Sequence, residues 1–522
     1  MNPGPVLANT LWLASGLADA VRFRQACFNP ATTQERWLRH MLVRHADSAF
    51  GRAHDFPKIH SAVEFQRAVP LARYEDFERY VVRIARGERD VLACGPVSHL
   101  APTSGSTGGR KFIPFTPVLT ASFRAAVSPW MIDLVRLQPG IAGGPAYWSI
   151  SPLLDEPAPD PRAAIPIGFA DDADYLGGPR AWLVRQAMAV PSSVRFARDT
   201  ASFWRLTLLS LLRHRELRLI SIWHPSFLQL LIDSADASWP EVVEAVQSGE
   251  CPWADALPAE SRAAWQTRPA PERAAELRRI GAHDWPSWWP ALKVVSCWGE
   301  QAAEPGWRAL VRRLPRVLVQ AKGLLATEGV VTIPIGDARP LAITSHFFEF
   351  IDDGGEVLLA HQLERGQRYE VVLTNGGGLW RYRLGDVVEC TGHLEATPCL
   401  QFAGRARVSD LRGEKLSEAF VADVLRTLWE ADQRPLVATL RALEGEGTAG
   451  YELLVSADNN SSGVEIGHRL EAALAANPHY ALARRLGQLA PVTVVTVASD
   501  GLRKDGARIG DAKPRVLVDR KS

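Results

Sequence analysis

Cysteine is scarce in this chain: six residues in 522 (Cys27, Cys94, Cys251, Cys297, Cys390, Cys399), scattered and with no Cys-x-x-Cys pair. The spacing fits neither a disulfide framework nor a zinc site, and it predicts reduced thiols in a cytoplasmic protein. Charge of one sign is lacking as well. Lys plus Arg is 59 against 58 for Asp plus Glu, a formal charge of +1, so the broad basic footprint of a nucleic-acid or acidic-membrane binder is missing. No basic residue precedes Leu11-Trp12-Leu13, and Asp19 interrupts that apolar run, which excludes a signal peptide. No stretch approaches the roughly 20 apolar residues that a bilayer-spanning helix needs. Internal repeats, heptads and low-complexity runs are absent. Tyrosine is rare beside tryptophan, 8 against 17, which reads as bulky core packing or as large apolar pockets. Hydrophobic residues at 47% and charged residues at 22% are those of a folded globular chain, long enough for two to four domains.

The first hundred residues read as helical. Thr32-Thr33-Gln34-Glu35 resembles a capped start, with Trp37, Leu38, Met41 and Leu42 following at helical spacing. Further helices are expected over 76–86, 119–137, 203–212 and from His224-Pro225-Ser226 through Ile232, with a strand at Leu217–Trp223. Residues 138–200 are rich in Gly, Pro and Asp and suggest loops and short strands. From 291 the texture changes to short strand candidates: 291–297, 317–321, 330–334, 341–343, 347–351, 357–360, 369–374 and 379–383. After a polar stretch at 404–415 come a helix (417–430), strands (436–442, 450–456), a helix (463–475) and a strand (491–497). The pattern predicts a large α/β domain of mixed sheets and helices over 1–404, a hinge at 405–411 and a small, mobile α/β domain over 412–522.

Three polar knots carry chemistry. In Pro102-Thr103-Ser104-Gly105-Ser106-Thr107-Gly108-Gly109-Arg110-Lys111, glycines let successive N–H groups converge on one anion and hydroxyls add donors. This suits a polyphosphate; a flexible surface loop is the alternative. It is not a Walker A loop, because Arg110 stands where the second Gly belongs and Phe112 follows Lys111. Ala326-Thr327-Glu328-Gly329 lies between two apolar strand candidates, where a carboxylate is costly to bury without a partner such as Mg²⁺; a solvated strand-edge Glu is the alternative. Trp380-Arg381-Tyr382-Arg383-Leu384-Gly385-Asp386 ends a strand. Its Asp can accept from two ribose hydroxyls, cap a turn, or pair with Arg381 or Arg383.

Taken in order, these elements resemble the adenylate-forming superfamily: a Ser/Thr/Gly phosphate loop, a Thr-Glu motif, a Tyr-Arg-x-Gly-Asp motif, a Gly-Arg hinge and a late Lys. More closely, the chain resembles the acyl acid amido synthetases of the Gretchen Hagen auxin-responsive family. The likeness runs through Phe50-Gly51-Arg52-Ala53-His54, Val69–Asp76, Thr103–Thr116, Phe347-Phe348-Glu349-Phe350, Tyr369–Asp386 and Lys513-Pro514-Arg515. The resemblance implies that Ser104, Gly105, Ser106 and Thr107 cradle the ATP phosphates. It puts Ala326, Thr327 and Glu328 at the α-phosphate, with Glu328 at Mg²⁺, and Asp386 on the ribose. Phe347 would line the nucleotide site in place of the usual Tyr, and Leu324, where plant members carry Tyr, would pack on the adenine. Lys513 would swing toward the α-phosphate during adenylation, although the residue that usually separates this Lys from Pro is missing.

The implied reaction activates a carboxylic acid with ATP and Mg²⁺ as an acyl-adenylate, then transfers the acyl group to an amine or amino acid. Acyl selection would fall to Trp223, His224 and Phe227, for each of which core packing is the competing reading. A ligase passing the acyl group to coenzyme A or a carrier-protein thiol is the nearest rival, and a non-catalytic ligand-binding relative is the second. Neither nucleic acid nor membrane is an expected partner, and nothing in the sequence speaks to oligomeric state.

Overall fold

The computed structural model describes residues 3–103, 111–150, 152, 164–168, 178–405, 408–409, 411, 414, 416–430, 433–435, 437–445, 448–456, 463–485, 488–497 and 516–518. Helices dominate the first hundred of these. Several start where the local sequence offers a cap: Asn29 accepts from the Thr32 N–H ahead of Pro30–Arg44, and Thr116 accepts from the Leu119 N–H ahead of Pro117–Leu137. Both helices carry proline in the first turn, where its missing N–H costs nothing.

Strands β1 (His99–Thr103) and β2 (Lys111–Phe115) form an antiparallel pair closed by Thr103 opposite Lys111. Strands β3 (Ala146–Trp148), β4 (Leu219–Ser221), β5 (Val294–Cys297) and β6 (Leu318–Ala321) form a parallel sheet in that order. Every residue of β5 is buried, as expected of a parallel strand covered on both faces. Around it lies a core holding Phe203, Phe227, Trp285, Trp288 and Trp289; these aromatics serve packing. Strands β7 (Leu325–Ala326) and β8 (Gly329–Val330) make a short hairpin. A five-stranded antiparallel sheet follows, β9 (Phe347–Ile351), β10 (Val357–Leu359), β11 (Arg368–Thr374), β12 (Tyr382–Leu394) and β13 (Thr397–Arg405), in the order β10-β9-β11-β12-β13.

Beyond it, β14 (Val408–Ser409) pairs with β15 (Leu416–Ser417). A separate core over Leu440, Tyr451, Leu453, Leu470 and Tyr480 forms around β16 (Ala438–Gly445), β17 (Thr448–Ser456), β18 (Thr493–Val497) and β19 (Leu517–Val518), ordered β18-β17-β16-β19. Ion pairs Arg434–Glu304 (2.8 Å) and Arg368–Asp423 (2.7 Å) tie this last unit to the preceding sheets.

Two expectations are corrected. The helix opened by Pro225 continues to Ser248 with Pro240 inside it, well past Ile232. Among the described residues one helix, Pro117–Leu137, is long and apolar enough to cross a membrane by length and composition, and half of its most apolar stretch is buried in the molecule. Its Phe123, Ala126 and Trp130 belong to the core that also holds Phe50, Phe65 and Trp380.

Candidate active site

The second and third polar knots, with Lys111 from the edge of the first, gather where β6 and the adjoining hairpins end. In open parallel sheets, ligands bind outside the carboxyl ends of the strands. Here Trp223 follows β4, Trp298 follows β5, and Lys322, then the β7–β8 hairpin, follow β6. Thr327 and Glu328 are the two turn residues of that hairpin, whose closing pair is Ala326 opposite Gly329. Ala326 and Thr327 are half-buried, while Glu328 is 8% exposed. The solvated strand-edge reading of Glu328 therefore fails.

Several residues fix this turn. The Asn375 side chain donates to the Glu328 carbonyl (2.7 Å) and accepts from the N–H groups of Gly377 and Leu379. The Thr116 hydroxyl donates to the Gly376 carbonyl (2.7 Å). A Cβ on Gly376 would lie 2.6 Å from Val118 Cγ1, and one on Gly377 would lie 2.5 Å from the Pro114 carbonyl oxygen. Only glycine lets this loop seat against the end of β2 and the helix start that leads from it. The Val330 N–H donates to His346 Nε2 (3.2 Å).

Charges of both signs meet at the turn. The Tyr382 hydroxyl donates to Glu328 Oε1 at 3.4 Å. Burial pushes the Glu328 carboxyl up; the nearby Asp386 carboxylate adds to the rise, while its own backbone N–H, Lys111 and Arg405 oppose it. Burial, reinforced by Glu328, likewise pushes the Tyr382 phenol up, so it stays a donor. Lys111 lies 5.5 Å from the centre of the Tyr74 ring, and the Tyr74 hydroxyl accepts from the Phe112 N–H (2.7 Å). Asp386 follows Gly385, whose φ of +77° turns the strand, and stands opposite Arg405 in the β12–β13 register, with Nε 3.4 Å from Oδ1.

Arg405 is thus the partner of Asp386. Arg381 is taken by Glu349 (2.9 Å) and Arg383 by Glu370 (Nε to Oε1, 3.0 Å). The Arg381–Glu349 pair is buried. Arg381 also donates to the Gln66 and Val69 carbonyls at φ +48°, and Gln66 donates to Glu349. No sequence pattern announced this clamp, because its four members come from three distant segments.

Four expectations move. Phe347 is 1% exposed and packs edge-on to Phe65, so its ring offers a nucleotide no surface. Leu324 is buried with Val331 and Phe348 and cannot pack on an adenine. Phe227 is a core residue, its ring 4.9 Å from that of Trp204. His224 caps its own helix, Nδ1 accepting from the Ser226 N–H (3.2 Å); burial lowers its pKa to about 4. Of the acyl-site candidates, Trp223 alone presents surface, 39% exposed with Lys322 Nζ 4.9 Å from its ring centre. Ser104, Gly105, Ser106, Thr107 and Lys513 lie outside the described residues; Thr103 and Lys111 bracket the phosphate-loop stretch. Sequence reasoning missed Tyr382, Asn375 and Trp298 as site residues. Trp298 had one usable signal, an aromatic directly after a strand, as at Trp223.

Comparison with known proteins places this geometry. The chain is 23% identical over 485 residues to the indole-3-acetic acid-amido synthetase GH3.3 of Arabidopsis thaliana, covering 86% of this chain and 81% of that one. It is 25% identical over 374 residues to the jasmonoyl–L-amino acid synthetase JAR6 of Nicotiana attenuata, covering 66% and 64%. Among solved structures, the AtGH3.15 acyl acid amido synthetase in complex with 2,4-DB superposes with a TM-score of 0.83 at 19% identity, over 97% of this chain and 94% of that one. Models of the GH3 family N-terminal domain and the GH3 family central domain match residues 20–316 and 340–405. With more than half of its length matched by the first of these alone, the chain belongs to the GH3 family.

Proposed function

We propose that this chain is an ATP-dependent acyl acid amido synthetase. The carrying observation is the Glu328 turn: a buried carboxyl at the carboxyl edge of the parallel sheet, with Asp386, Lys111 and Arg405 in electrostatic reach. The family and the relatives' amido synthetase names support the same reading.

In the first step a carboxylate oxygen of the acid attacks the α-phosphorus of ATP. The acyl–O–P bond forms, the α–β P–O bond breaks, and pyrophosphate leaves. In the second step an amine attacks the acyl carbon; the C–N bond forms, AMP departs with the oxygen, and the nitrogen gives up a proton to solvent. Charge accumulates on phosphate oxygens in the first step, so positioning and fixed positive charge govern its rate. Lys111 and the 104–107 hydroxyls and N–H groups are placed by sequence for that role, with Lys513 joining from the C-terminal unit. Asp386 accepts from ribose hydroxyls once Arg405 shares it. Trp223, Trp298 and Lys322 bound the acid's side of the crevice.

Mg²⁺ fits the donor set. A buried carboxylate with a second close by, beside bound phosphates, is the all-oxygen composition this ion takes, and a cation at Glu328 would offset the burial, and the lesser repulsion from Asp386, that push its carboxyl up. Glu328 would hold it, supplying neutralisation of phosphate charge. We place the hinge at 405–411, between domains 1–404 and 412–522, with Arg405 at the end of β13 as its first residue. The six cysteines are free thiols, which supports a reducing, cytoplasmic location.

The test is incubation with Mg·ATP, a panel of aryl and aliphatic acids, and pooled amino acids, read by mass spectrometry. AMP together with an acid-dependent amide supports the proposal and names both substrates. Acyl-adenylate without amide shifts the acceptor to coenzyme A, and no acid-dependent AMP while ATP binds overturns the ligase reading.

A further inference from the structure

The helices Pro3–Ala26, Pro30–Arg44 and Pro117–Leu137 border an open groove of about 350 Å³. None of the active-site side chains lines it. Its volume falls within the range of small-molecule pockets, about 300–1,000 Å³. Its floor is apolar: the half-buried Trp37 indole, the buried Met41 thioether, and the Val118, Ala121 and Ala125 side chains. Its rim is cationic. Arg22, Arg44 and Arg124 face it with a single carboxylate, Asp19, among the lining residues.

That carboxylate serves more than one partner. Asp19 lies 3.4 Å from Arg22 and 3.6 Å from Arg124, and the Ser128 hydroxyl donates to it at 3.4 Å. Each of these contacts is longer than the about 2.7–2.9 Å of a strong charge-assisted hydrogen bond. The half-buried Thr344 side chain completes the lining. Apolar floor and cationic rim specify opposite ends of one small molecule.

We infer that this groove is a second ligand site, separate from the catalytic crevice, that takes a small organic anion with a flat apolar body: an aromatic carboxylate or a chemically equivalent acid. The ring lies along Trp37 and Met41, and the anionic head meets Arg44 and Arg124. The offset stacking an indole prefers and the affinity of thioether sulfur for ring edges both favour an aromatic body over an aliphatic one.

The experiment is photolabelling of the full chain with 4-benzoylbenzoate, an aromatic carboxylate carrying a photoreactive ketone, and with uncharged 4-methylbenzophenone in parallel. Sites are mapped by peptide mass spectrometry. Labels from the carboxylate are expected on the peptides holding Trp37–Arg44 and Val118–Arg124. They should fall at least tenfold in an Arg44→Glu/Arg124→Glu variant, while the neutral probe labels those peptides weakly in both proteins. Arg44→Gln alone, at an exposed position, should lower labelling about threefold and covers the case in which the double variant does not fold; nucleotide binding checks the fold of each. Labels spread evenly over the surface, unchanged labelling after charge reversal, or equal labelling by the neutral ketone would each overturn the assignment.

Discussion

Replacing Arg381 with methionine keeps most of the side chain's length and removes its guanidinium from the closed pocket between Glu349 and the 66–69 segment. Arg381 is 4% exposed and Glu349 1%. In the native chain Arg381 Nε reaches both Glu349 oxygens (3.1 and 3.0 Å), and Nη1 reaches the Gln66 and Val69 carbonyls (2.8 and 2.7 Å). The variant leaves Glu349 with the Gln66 amide (3.0 Å) as its side-chain donor. Breaking a buried pair from one side costs about 3–5 kcal/mol, because the remaining charge stays desolvated. The positive φ is equally strained for Arg and Met, so it drops out of the comparison. Unfolding entropy of about 2.1 cal/mol/K per residue over the roughly 400 residues before the end of β13 gives about 0.8 kcal/mol/K. The calorimetric midpoint of the N-terminal transition should therefore fall by about 4–6 °C. Adding Glu349→Leu removes the stranded charge, and the double variant should regain at least half of the loss. A fall below about 1 °C in the single variant, or a double variant no better than the single, would falsify the account of this pair as a charge that cannot stand alone.

Tyr382→Phe deletes the donor to Glu328; loss of a hydrogen bond to a charged group, about 1.5–3 kcal/mol, predicts pyrophosphate release slowed about 10- to 100-fold, and an unchanged rate sinks the contact. Glu328→Gln should raise the Mg²⁺ concentration needed for half-maximal adenylation, and an identical Mg²⁺ titration argues against a metal role. Lys513→Ala should slow adenylate formation by about 10²–10³ and spare aminolysis of a preformed adenylate; equal loss in both single-turnover half-reactions refutes the assignment. Burial depresses the pKa of His45 to about 4 and that of His346 to about 3. Because these groups bind protons more readily unfolded, near 6.5, their contribution is full above that pH and is lost as pH falls toward the folded values. At about 1.4 kcal/mol per pH unit each at the steepest, the two should cost roughly 3 kcal/mol between pH 6.5 and 5. Thermal midpoints against pH check this, and an unaltered slope in His45→Gln/His346→Gln would show that other groups carry it.

The sequence exposed those parts of the site whose chemistry is local. Thr327-Glu328 stood out because a hairpin turn concentrates polar residues between apolar strands, and Asp386 because a glycine precedes it. Their partners were hidden by distance: the β12–β13 register brings Arg405 to Asp386, and Asn375 reaches Glu328 only because β11 ends beside the hairpin. Aromatic facing was equally invisible. Phe227 and Phe347 look like pocket walls in sequence and are core residues, since periodicity says which residues share a face but not which face is covered. The helix expected to end at Ile232 runs on through Pro240 to Ser248, where burial of Ser238, Val242 and Val243 outweighs the hydrogen bond that the proline removes. Strands β9, β10 and β11 and most of the C-terminal unit were legible because turn residues interrupt their alternation, whereas β12 was expected only over 379–383 and β13 was missed.

The seating of Gly376 and Gly377 has a consequence for anyone reshaping the enzyme. Less than a methyl group's clearance separates that loop from Val118 and Pro114, so the segment leaving the phosphate loop and the segment bearing Glu328 move, or fail to move, as one casting. A library built to change the acid accepted can sample Trp223 and its exposed surroundings freely. The two glycines belong outside it, because a single carbon added there shifts the nucleotide's fittings against one another before it alters any preference among acids.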